Sequence, residues 1–440
     1  MNRQADLLIR NGRILTRPSS GDLIENGTIV IRKDKIAAVG SAAETADWTA
    51  AEVIDAGGGI VMPGLVNTHT HLPMSLFRGL ADDLPLMTWL NEHIFPAEAS
   101  RINPQTVEIG ARLSIAEMLL SGTTTCCDGY FHEDIVAAVV QETGIRAVLG
   151  HGVIDYPAPG VPDPRENVRR AMDFCDGWQE ICPEIRPSVF CHSPYTCSAE
   201  TLRKAKAAAT ERGLLFQIHA AETRAEVKQI RAQHGMTPVQ YLDGLGLLDP
   251  LTLLVHAVWL DERDIGLIAL RGATISHNPE SNMKLGAGIA PVPAFLNSHI
   301  PVGLGTDGCA SNNDLDLFGE MDTAAKLHKV NGLDPTLLSA REVLTMATSG
   351  GAEAIGLNRE IGSLEVGKQA DLIVIDTQKP HLVPMYHPVS HLVYAARGSD
   401  VRDVFVAGKP LVRNRSLLTI DSADLFRRVS EFVVGQDRVR

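Results

Sequence analysis

Short apolar runs alternate with longer amphipathic stretches through the middle of this chain of 440 residues. Such alternation predicts parallel β-strands joined by crossover helices. Eight runs have enough chain after them for a helix; they are residues 60–66, 123–127, 146–150, 186–191, 214–219, 251–256, 273–277 and 301–305. Eight strands in this arrangement predict an α/β fold, a (β/α)8 TIM-type barrel.

The two ends of the chain have a different texture, with short β-rich runs separated by turn residues. Apolar runs flank Asn11 and Gly12, and further runs cover 28–31 and 36–39, which predicts β-hairpins. Runs at 370–376 and 401–408 repeat this texture near the carboxyl end. We therefore predict a small β-sandwich domain built from both termini. Its residues are 1–58 and 357–440, around a catalytic barrel at 59–356.

Polar residues recur at the carboxyl ends of the predicted barrel strands, where barrel enzymes place their chemistry. They are His69 and His71, His192, His219, His256, His277 and Asp307. Core histidines are normally scattered, so this placement predicts an active site. The crossover at 72–121 is long enough to form a lid over it.

The first two candidate groups each combine a histidine with a nearby partner. His69 and His71 lie two residues apart, so both face one side of an extended strand end and can share a metal ion. For such a pair alone, two surface histidines beside a turn are the alternative. His219 and Glu222 lie three residues apart, where the histidine could bind the metal and the glutamate could shuttle protons. A helix-start glutamate beside an incidental histidine is the alternative there.

The third group is Asp307, which follows the eighth run and is a candidate ligand and proton acceptor. Three imidazoles and one carboxylate around a divalent ion leave room for a water whose pKa falls towards neutrality. His256, on the sixth run, is predicted to orient this water and stabilise developing charge. A satisfied buried histidine is the alternative. His277 is either a pocket contact or a structural residue.

Together these segments resemble the amidohydrolase superfamily, and in particular its 5-methylthioadenosine/S-adenosylhomocysteine deaminase branch, over nearly the whole chain. The residues that carry the resemblance are 63–71, 89–98, 192–195, 219–222, 281–286, 305–307 and 362–372. The resemblance implies one zinc ion. Its ligands would be His69, His71, His219 and Asp307.

The same resemblance implies the remaining roles. Glu222 and His256 would be catalytic groups, together with the ligand Asp307. The substrate contacts would be Glu98 at the ribose hydroxyls, His192 at the nucleoside, Trp89 in the pocket wall, and Glu222 and Asp307 at the reacting ring. Relatives also place arginines against the ribose or an amino-acid tail, and which arginine of this chain would contact the substrate stays open. The choice among S-adenosylhomocysteine, 5′-methylthioadenosine and adenosine therefore stays open.

The fourth predicted strand, 186–191, contains no lysine, whereas relatives that cleave cyclic amides often carry a carboxylated lysine there. A mononuclear site with a His-x-x-Glu shuttle favours deamination of a heteroaromatic ring by a metal-activated water. On adenosine derivatives the products would be the inosyl compound and ammonia. The nearest alternative is the same chemistry on guanine, another purine or a triazine. Cyclic-amide hydrolysis and a barrel kept only for binding come next.

Composition limits the classes of molecule that this protein could bind. A net charge of −13 and a pI near 5.6 argue against nucleic-acid or anionic-membrane binding and for a small substrate that is not strongly anionic. The resemblance implies that this substrate is a nucleoside. Seven cysteines without a Cys-x-x-Cys pair predict free thiols. With no apolar segment typical of a signal peptide or membrane span, we expect a cytoplasmic protein. Nitrogen and oxygen ligands can also bind iron(II) or manganese(II) in place of zinc. Whether the protein forms a homo-oligomer stays open.

Overall fold

The structure, a computed structural model, describes residues 3–21, 23–85 and 88–437. Its amino-terminal strands are β1 (Arg3–Leu15), β2 (Leu23–Arg32), β3 (Lys35–Ser41), β4 (Trp48–Asp55) and β5 (Ile60–Pro63). β1, β2 and β3 form an antiparallel meander, and β4 and β5 pair with β1 in parallel. The hairpin of β2 and β3 confirms the strands predicted at 28–31 and 36–39.

The next strands of the described chain form a parallel sheet of eight. They are β6 (Leu65–Thr70), β7 (Thr123–Tyr130), β8 (Arg146–Val153), β9 (Ile185–Cys191), β10 (Phe216–Ala220), β11 (Thr252–His256), β12 (Thr274–His277) and β13 (Val302–Leu304). Each strand pairs with the next. Beyond β13, the amide of Asp307 donates to the carbonyl of His69 on β6 at 3.0 Å, which closes the sheet. The predicted (β/α)8 barrel is confirmed.

The carboxyl-terminal strands complete the first sheet. They are β14 (Leu372–Ile375), β15 (Val401–Val406), β16 (Lys409–Arg413) and β17 (Ser416–Leu417). β14 runs antiparallel to β5, so one mixed sheet contains strands from both ends of the chain, as predicted. Its small core is apolar and joins both sets of strands through Leu7, Ile29, Val61, Leu372 and Phe405. The domain limits themselves stay a prediction, and residues 1, 2, 22 and 438–440 lie outside the described chain.

Two strand predictions are wrong in detail. Asn11 and Gly12 do not form a turn, because β1 continues through them and only its pairing with β2 shifts. Asn11 takes a left-handed φ of 56° at this bulge. The run predicted at 60–66 is two strands, because the chain passes from β5 in the mixed sheet to β6 in the barrel at Gly64. A Cβ at Gly64 would lie 2.1 Å from the Thr124 hydroxyl, so only glycine fits this crossing.

Helices connect the barrel strands and flank the mixed sheet. The α-helices of the described residues are α1 (Phe95–Arg101), α2 (Pro104–Leu120), α3 (Glu133–Thr143), α4 (Asn167–Trp178), α5 (Ala199–Glu211), α6 (Arg224–His234), α7 (Pro238–Gly244), α8 (Glu262–Arg271), α9 (Pro279–Lys284), α10 (Val292–Asn297), α11 (Leu317–Gly332), α12 (Ala340–Met346), α13 (Ser349–Ala354), α14 (Pro388–Tyr394) and α15 (Ser422–Asp437). Across the described helices, none is long and apolar enough to span a membrane. All seven cysteines are buried free thiols, as predicted.

The crossover from β6 to β7 is the longest connection at the catalytic end. It contains a 3₁₀ helix (Leu72–Phe77), a π-helical turn (Trp89–Ile94), α1 and α2. α2 begins at Pro104 because the Asn103 side chain accepts hydrogen bonds from two free amides of its first turn. The π-helical turn and α1 line the cavity at the barrel mouth. The length that predicted a lid thus forms part of the cavity wall.

Candidate active site

The predicted metal ligands converge at the carboxyl ends of the barrel strands. His69 lies on β6, His71 directly after it, His219 on β10 and Asp307 beyond β13. The Nε2 atoms of His69 and His219 are 3.1 Å apart. Asp307 Oδ1 lies 3.4 Å from Nε2 of His69 and 3.3 Å from Nε2 of His71. The four side chains therefore direct their donor atoms into one small volume.

The donor set fits a divalent cation. Ligand atoms about 2.0–2.1 Å from a tetrahedral zinc ion lie about 3.3 Å from one another, which matches the three observed distances. Burial lowers the pKa of His69 to about 3, so its imidazole is neutral and offers a lone pair. His71 donates from Nδ1 to the Gly129 carbonyl at 2.7 Å, which leaves Nε2 free as a ligand.

Two serine hydroxyls orient the carboxylate of Asp307. Its Oδ2 accepts hydrogen bonds from Ser281 Oγ at 2.7 Å and from Ser311 Oγ at 2.8 Å. These bonds turn Oδ1 towards the histidines. Neither serine was singled out from the sequence, although Ser281 begins the segment 281–286 that the resemblance had marked. Serine is too common in loops for such a role to be found without the fold.

Backbone strain is concentrated at this end of the barrel. Ala221, His256, Ala257 and Asp307 are buried and have left-handed φ values of 54°, 71°, 49° and 62°. A non-glycine residue in this conformation costs about 1–3 kcal/mol and persists only where the surroundings hold it. The strained positions follow β10 and β13 and end β11, so they coincide with the candidate residues.

The turn after β10 carries Glu222. Its conformation depends on Glu226, whose carboxylate accepts hydrogen bonds from the amides of Ala221 at 2.7 Å and Glu222 at 2.8 Å. Thr223 is the N-cap of α6, and Glu226 lies in the first turn of that helix. The alternative that Glu222 is a helix-start glutamate is therefore wrong, because Glu226 holds that position. The Thr-x-x-Glu spacing was the signal that could have identified Glu226.

Glu222 faces His256 across the site. Glu222 Oε2 lies 3.9 Å from His256 Nε2. His256 Nδ1 lies 3.0 Å from Asn282 Oδ1 and 3.2 Å from Asn278 Nδ2. Donation from Nδ1 to the Asn282 oxygen leaves Nε2 directed at Glu222. Burial raises the pKa of Glu222, which makes the protonated carboxyl more accessible than in an ordinary glutamate.

A cavity of about 620 Å³ opens from the metal ligands towards solvent. The predicted substrate contacts all line it. Glu98 on α1 is buried and accepts a hydrogen bond from the Tyr130 hydroxyl at 2.5 Å. Burial raises the pKa of Glu98 to about 7. Trp89 lies in the wall with 6% of its surface exposed.

His192 and His277 differ in their access to this cavity. His192 lines it, with Nδ1 2.9 Å from Thr196 Oγ1 and its ring 5.2 Å from that of His219. His277 is fully buried, and its Nε2 lies 3.3 Å from Nε2 of His328 on α11. His277 is not among the cavity-lining residues of the described chain. Its surroundings fit the structural alternative.

A known protein family and several relatives match most of this chain. Residues 60–411 match the model of the amidohydrolase family. This chain belongs to that family. A 5-methylthioadenosine/S-adenosylhomocysteine deaminase of Syntrophobacter fumaroxidans is 50% identical over 427 residues, 97% of each chain. A 5′-deoxyadenosine deaminase of Methanosarcina acetivorans is 47% identical over 421 residues, 95% of each chain.

Solved structures agree with the amidohydrolase fold. A zinc-bound adenosine deaminase of Xanthomonas campestris is 40% identical, with full coverage of both chains and a TM-score of 0.96. A triazine hydrolase of Arthrobacter is 26% identical over 97% of this chain and 99% of that one, with a TM-score of 0.90. The family resemblance is confirmed. The roles of individual site residues stay predictions, although all of the predicted ligands, catalytic groups and substrate contacts line or adjoin one cavity.

Proposed function

We propose that this amidohydrolase is a zinc-dependent deaminase of adenosine derivatives, which adds water at C6 of the adenine ring and releases ammonia and the inosyl product. The names of the relatives at 50% and 47% identity support a nucleoside with a modified 5′ position. One observation carries the proposal within this chain. It is the pairing of a buried carboxyl, Glu222, with the His256 imidazole beside a three-histidine, one-carboxylate donor set.

The metal would be held by the Nε2 atoms of three imidazoles and by Oδ1 of a carboxylate. These ligands are His69, His71, His219 and Asp307. A divalent ion in this position lowers the pKa of water and so supplies a nucleophile at neutral pH. The nitrogen-rich donor set and the spacing of its atoms favour zinc over iron(II) or manganese(II), and the Xanthomonas campestris structure contains zinc.

Glu222 would transfer the protons. Because burial raises its pKa, its carboxyl can protonate N1 of the adenine ring, which makes C6 electrophilic. The resulting carboxylate can take the proton released on water addition and pass it to the departing amino group. The hydrogen bonds from the backbone to Glu226 hold the turn in place, so the carboxyl is preorganised for both transfers.

His256 and Asp307 would act on the attacking water. The hydrogen bond of His256 Nδ1 to Asn282 fixes the ring so that Nε2 points into the site. In this position it can orient the water and stabilise the charge that develops at C6. Asp307 Oδ1 lies within 3.4 Å of two ligand nitrogens and can accept a proton from the same water.

The remaining candidates would bind the nucleoside. Glu98 lines the cavity and would accept hydrogen bonds from ribose hydroxyls. His192 would contact the nucleoside between the metal site and Tyr195, since its ring lies 5.2 Å from His219 and 6.2 Å from Tyr195. Trp89 would close the wall beside the sugar. We also propose a cytoplasmic location, which the seven free thiols support.

The function is tested by product release from a panel of compounds. The purified, zinc-loaded protein is incubated with methylthioadenosine, 5′-deoxyadenosine, S-adenosylhomocysteine, adenosine and guanine, for which ammonia is measured. A chlorinated triazine and a dihydropyrimidine complete the panel; chloride release is measured for the first, and the acid formed by ring opening for the second. Turnover of adenosine compounds is the expected result. Turnover of guanine or the triazine alone would move the same chemistry to another ring, and turnover of the dihydropyrimidine alone would point to cyclic-amide hydrolysis. Each of these results would overturn the proposed substrate.

A further inference from the structure

The cavity has a defined direction. Its inner end contains Asp307, which is 6% exposed, and its outer wall contains Tyr156, which is 56% exposed. If the adenine C6 reacts beside Asp307, the ribose on N9 must extend away from the metal ligands towards the mouth. The 5′ substituent is then the part of the substrate that meets the outer wall.

Two segments form this outer wall, and both are mainly apolar and uncharged in their lining residues. One is the π-helical turn with the start of α1, which contributes Leu90, Ile94 and Phe95 together with one uncharged polar residue, Asn91. The other is the loop after β8, which contributes Ile154, Tyr156, Pro157, Ala158 and Pro159. A 5′ group in this position is surrounded by aliphatic, aromatic and proline carbons, so burial of an apolar group is favourable there.

The charged groups of the cavity are acidic. Three carboxyl side chains line it, those of Glu98, Glu222 and Asp307, and no lysine or arginine is among its lining residues in the described part of the chain. Leu86 and Met87, outside the described residues, carry no charge. Arg165 belongs to the same loop after β8 but pairs with Asp163, and its side chain is 87% exposed.

From this distribution we infer that the enzyme selects adenosine derivatives whose 5′ substituent is uncharged, such as a methylthio group or a hydrogen atom. The inference rests on the proposed deaminase function. S-adenosylhomocysteine carries an α-carboxylate at the end of its 5′ chain. An α-ammonium group lies beside that carboxylate, and both charges would lose water on entering the outer part of the cavity. The carboxylate would find no lysine or arginine among the described lining residues. A methylthio group has no charge to desolvate when it enters the cavity. Its sulfur can contact Tyr156 or Phe95.

The first test compares kcat/KM for ammonia release from methylthioadenosine, 5′-deoxyadenosine and S-adenosylhomocysteine. We expect the value for S-adenosylhomocysteine to be lower by ~100-fold, the discrimination typical of an unpaired polar group in a site. Values within about threefold of each other would overturn the inference while leaving the deaminase proposal intact. Failure of all adenosine compounds would instead overturn the deaminase function, and the inference with it.

The second test introduces a cationic side chain into the outer wall of the cavity. Ala158 lines the outer wall and is half-buried, and its backbone is held by two hydrogen bonds with Val161 at 3.1 and 2.9 Å. Ala158→Arg should raise the ratio of kcat/KM for S-adenosylhomocysteine to that for methylthioadenosine by ~10-fold, through a charge-assisted hydrogen bond to the carboxylate. Ala158→Gln is the matched control of similar length. Equal changes in the two variants would overturn the electrostatic explanation.

Discussion

The barrel mouth and the mixed sheet use the same rare backbone conformation differently. In the sheet, left-handed residues such as Lys33 (φ 58°) and Asn414 (φ 47°) lie at exposed turns. At the barrel mouth, Ala221, His256 and Asp307 adopt the conformation while buried. An exposed turn can relax, whereas a buried left-handed residue depends on its neighbours. The mixed sheet also has a buried left-handed residue, Ala407 (φ 48°), but its side chain is only a methyl group. At the barrel mouth the same conformation sets the direction of the His256 and Asp307 side chains.

The two regions also treat buried acids differently. Asp371, directly before β14, receives two hydrogen bonds from Arg146 and one from the Ala407 amide. At the barrel mouth, Glu98 accepts a hydrogen bond from a tyrosine hydroxyl, and Glu222 faces an imidazole. A guanidinium keeps a carboxylate ionised, whereas burial beside neutral groups raises its pKa. Proton transfer near neutral pH requires the second arrangement.

The largest expected effect separates metal binding from proton transfer. His69→Ala should lose bound metal and reduce kcat by about 10⁴-fold, because the ion can no longer be held by its full ligand set. Glu222→Gln should keep its metal and reduce kcat by about 10³-fold, because an amide cannot shuttle protons. Metal content per chain and kcat on methylthioadenosine are measured for both. A Glu222→Gln variant with normal turnover would refute the shuttle.

The next largest effect concerns the contact between the barrel and the mixed sheet, the buried ion pair of Arg146 and Asp371. Arg146 begins β8 at the end of the barrel opposite the cavity, and its side chain and that of Asp371 are 3% and 2% exposed. Arg146→Met leaves a buried carboxylate without its partner and should lower the free energy of unfolding by about 3–5 kcal/mol. Denaturant unfolding measures this change. We expect kcat of the folded variant to stay unchanged, since the amino-terminal face of a barrel serves stability.

An exposed ion pair provides the control. Arg17 and Glu365 also join the two ends of the chain, but their side chains are 60% and 35% exposed. Arg17→Met should destabilise the protein much less than Arg146→Met, because solvent screens such a pair. Equal destabilisation by the two substitutions would show that burial does not set the strength of the Arg146 contact.

The fold and the convergence of the candidate ligands could be predicted from the sequence, whereas the residues that support them could not. His69, His219 and Asp307 stand at the ends of apolar runs, and strand alternation alone brings such positions to one face of a barrel. Ser281 reaches Asp307 from a segment 26 residues away, whereas Glu226 and Ser311 lie within five residues of the groups they bond. Their residue types are common in loops, so spacing along the chain carries little information about them.

The two wrong strand predictions result from contacts between segments that are distant in the sequence. Asn11 and Gly12 have the composition of a hairpin turn, but β1 pairs with β4 up to Arg10 and with β5 from Arg13, so the strand continues across both residues with a bulge. Tertiary pairing thus overrides a local turn preference. The division of residues 60–66 depends on the close approach of Thr124 at Gly64, a contact between segments 60 residues apart that no local pattern reveals.

A smaller effect follows from the raised pKa of Glu98. Burial raises this pKa to about 7, so the carboxylate, which accepts from ribose hydroxyls, forms as pH rises through about 7. KM for methylthioadenosine should therefore fall by ~10-fold across this range, the value of a hydrogen bond to a charged group. Glu98→Gln should remove the inflection. Tyr130→Phe should move it to higher pH, because the tyrosine hydrogen bond lowers the pKa; an unmoved inflection would assign it to another group.

The smallest effect tests the comparison of backbone strain itself. Lys33→Gly replaces an exposed left-handed residue and should raise the free energy of unfolding by about 0.5–1 kcal/mol, net of the entropy that glycine loses, without changing kcat. Ala221→Gly gains similarly in its backbone but loses a buried methyl group, worth about 0.8 kcal/mol, so its stability should hardly change. Its kcat should fall by about 10-fold, because the turn that carries Glu222 becomes less constrained. If both variants kept full activity, the strain at Ala221 would have no part in positioning Glu222, and the barrel mouth would differ from the sheet only in burial.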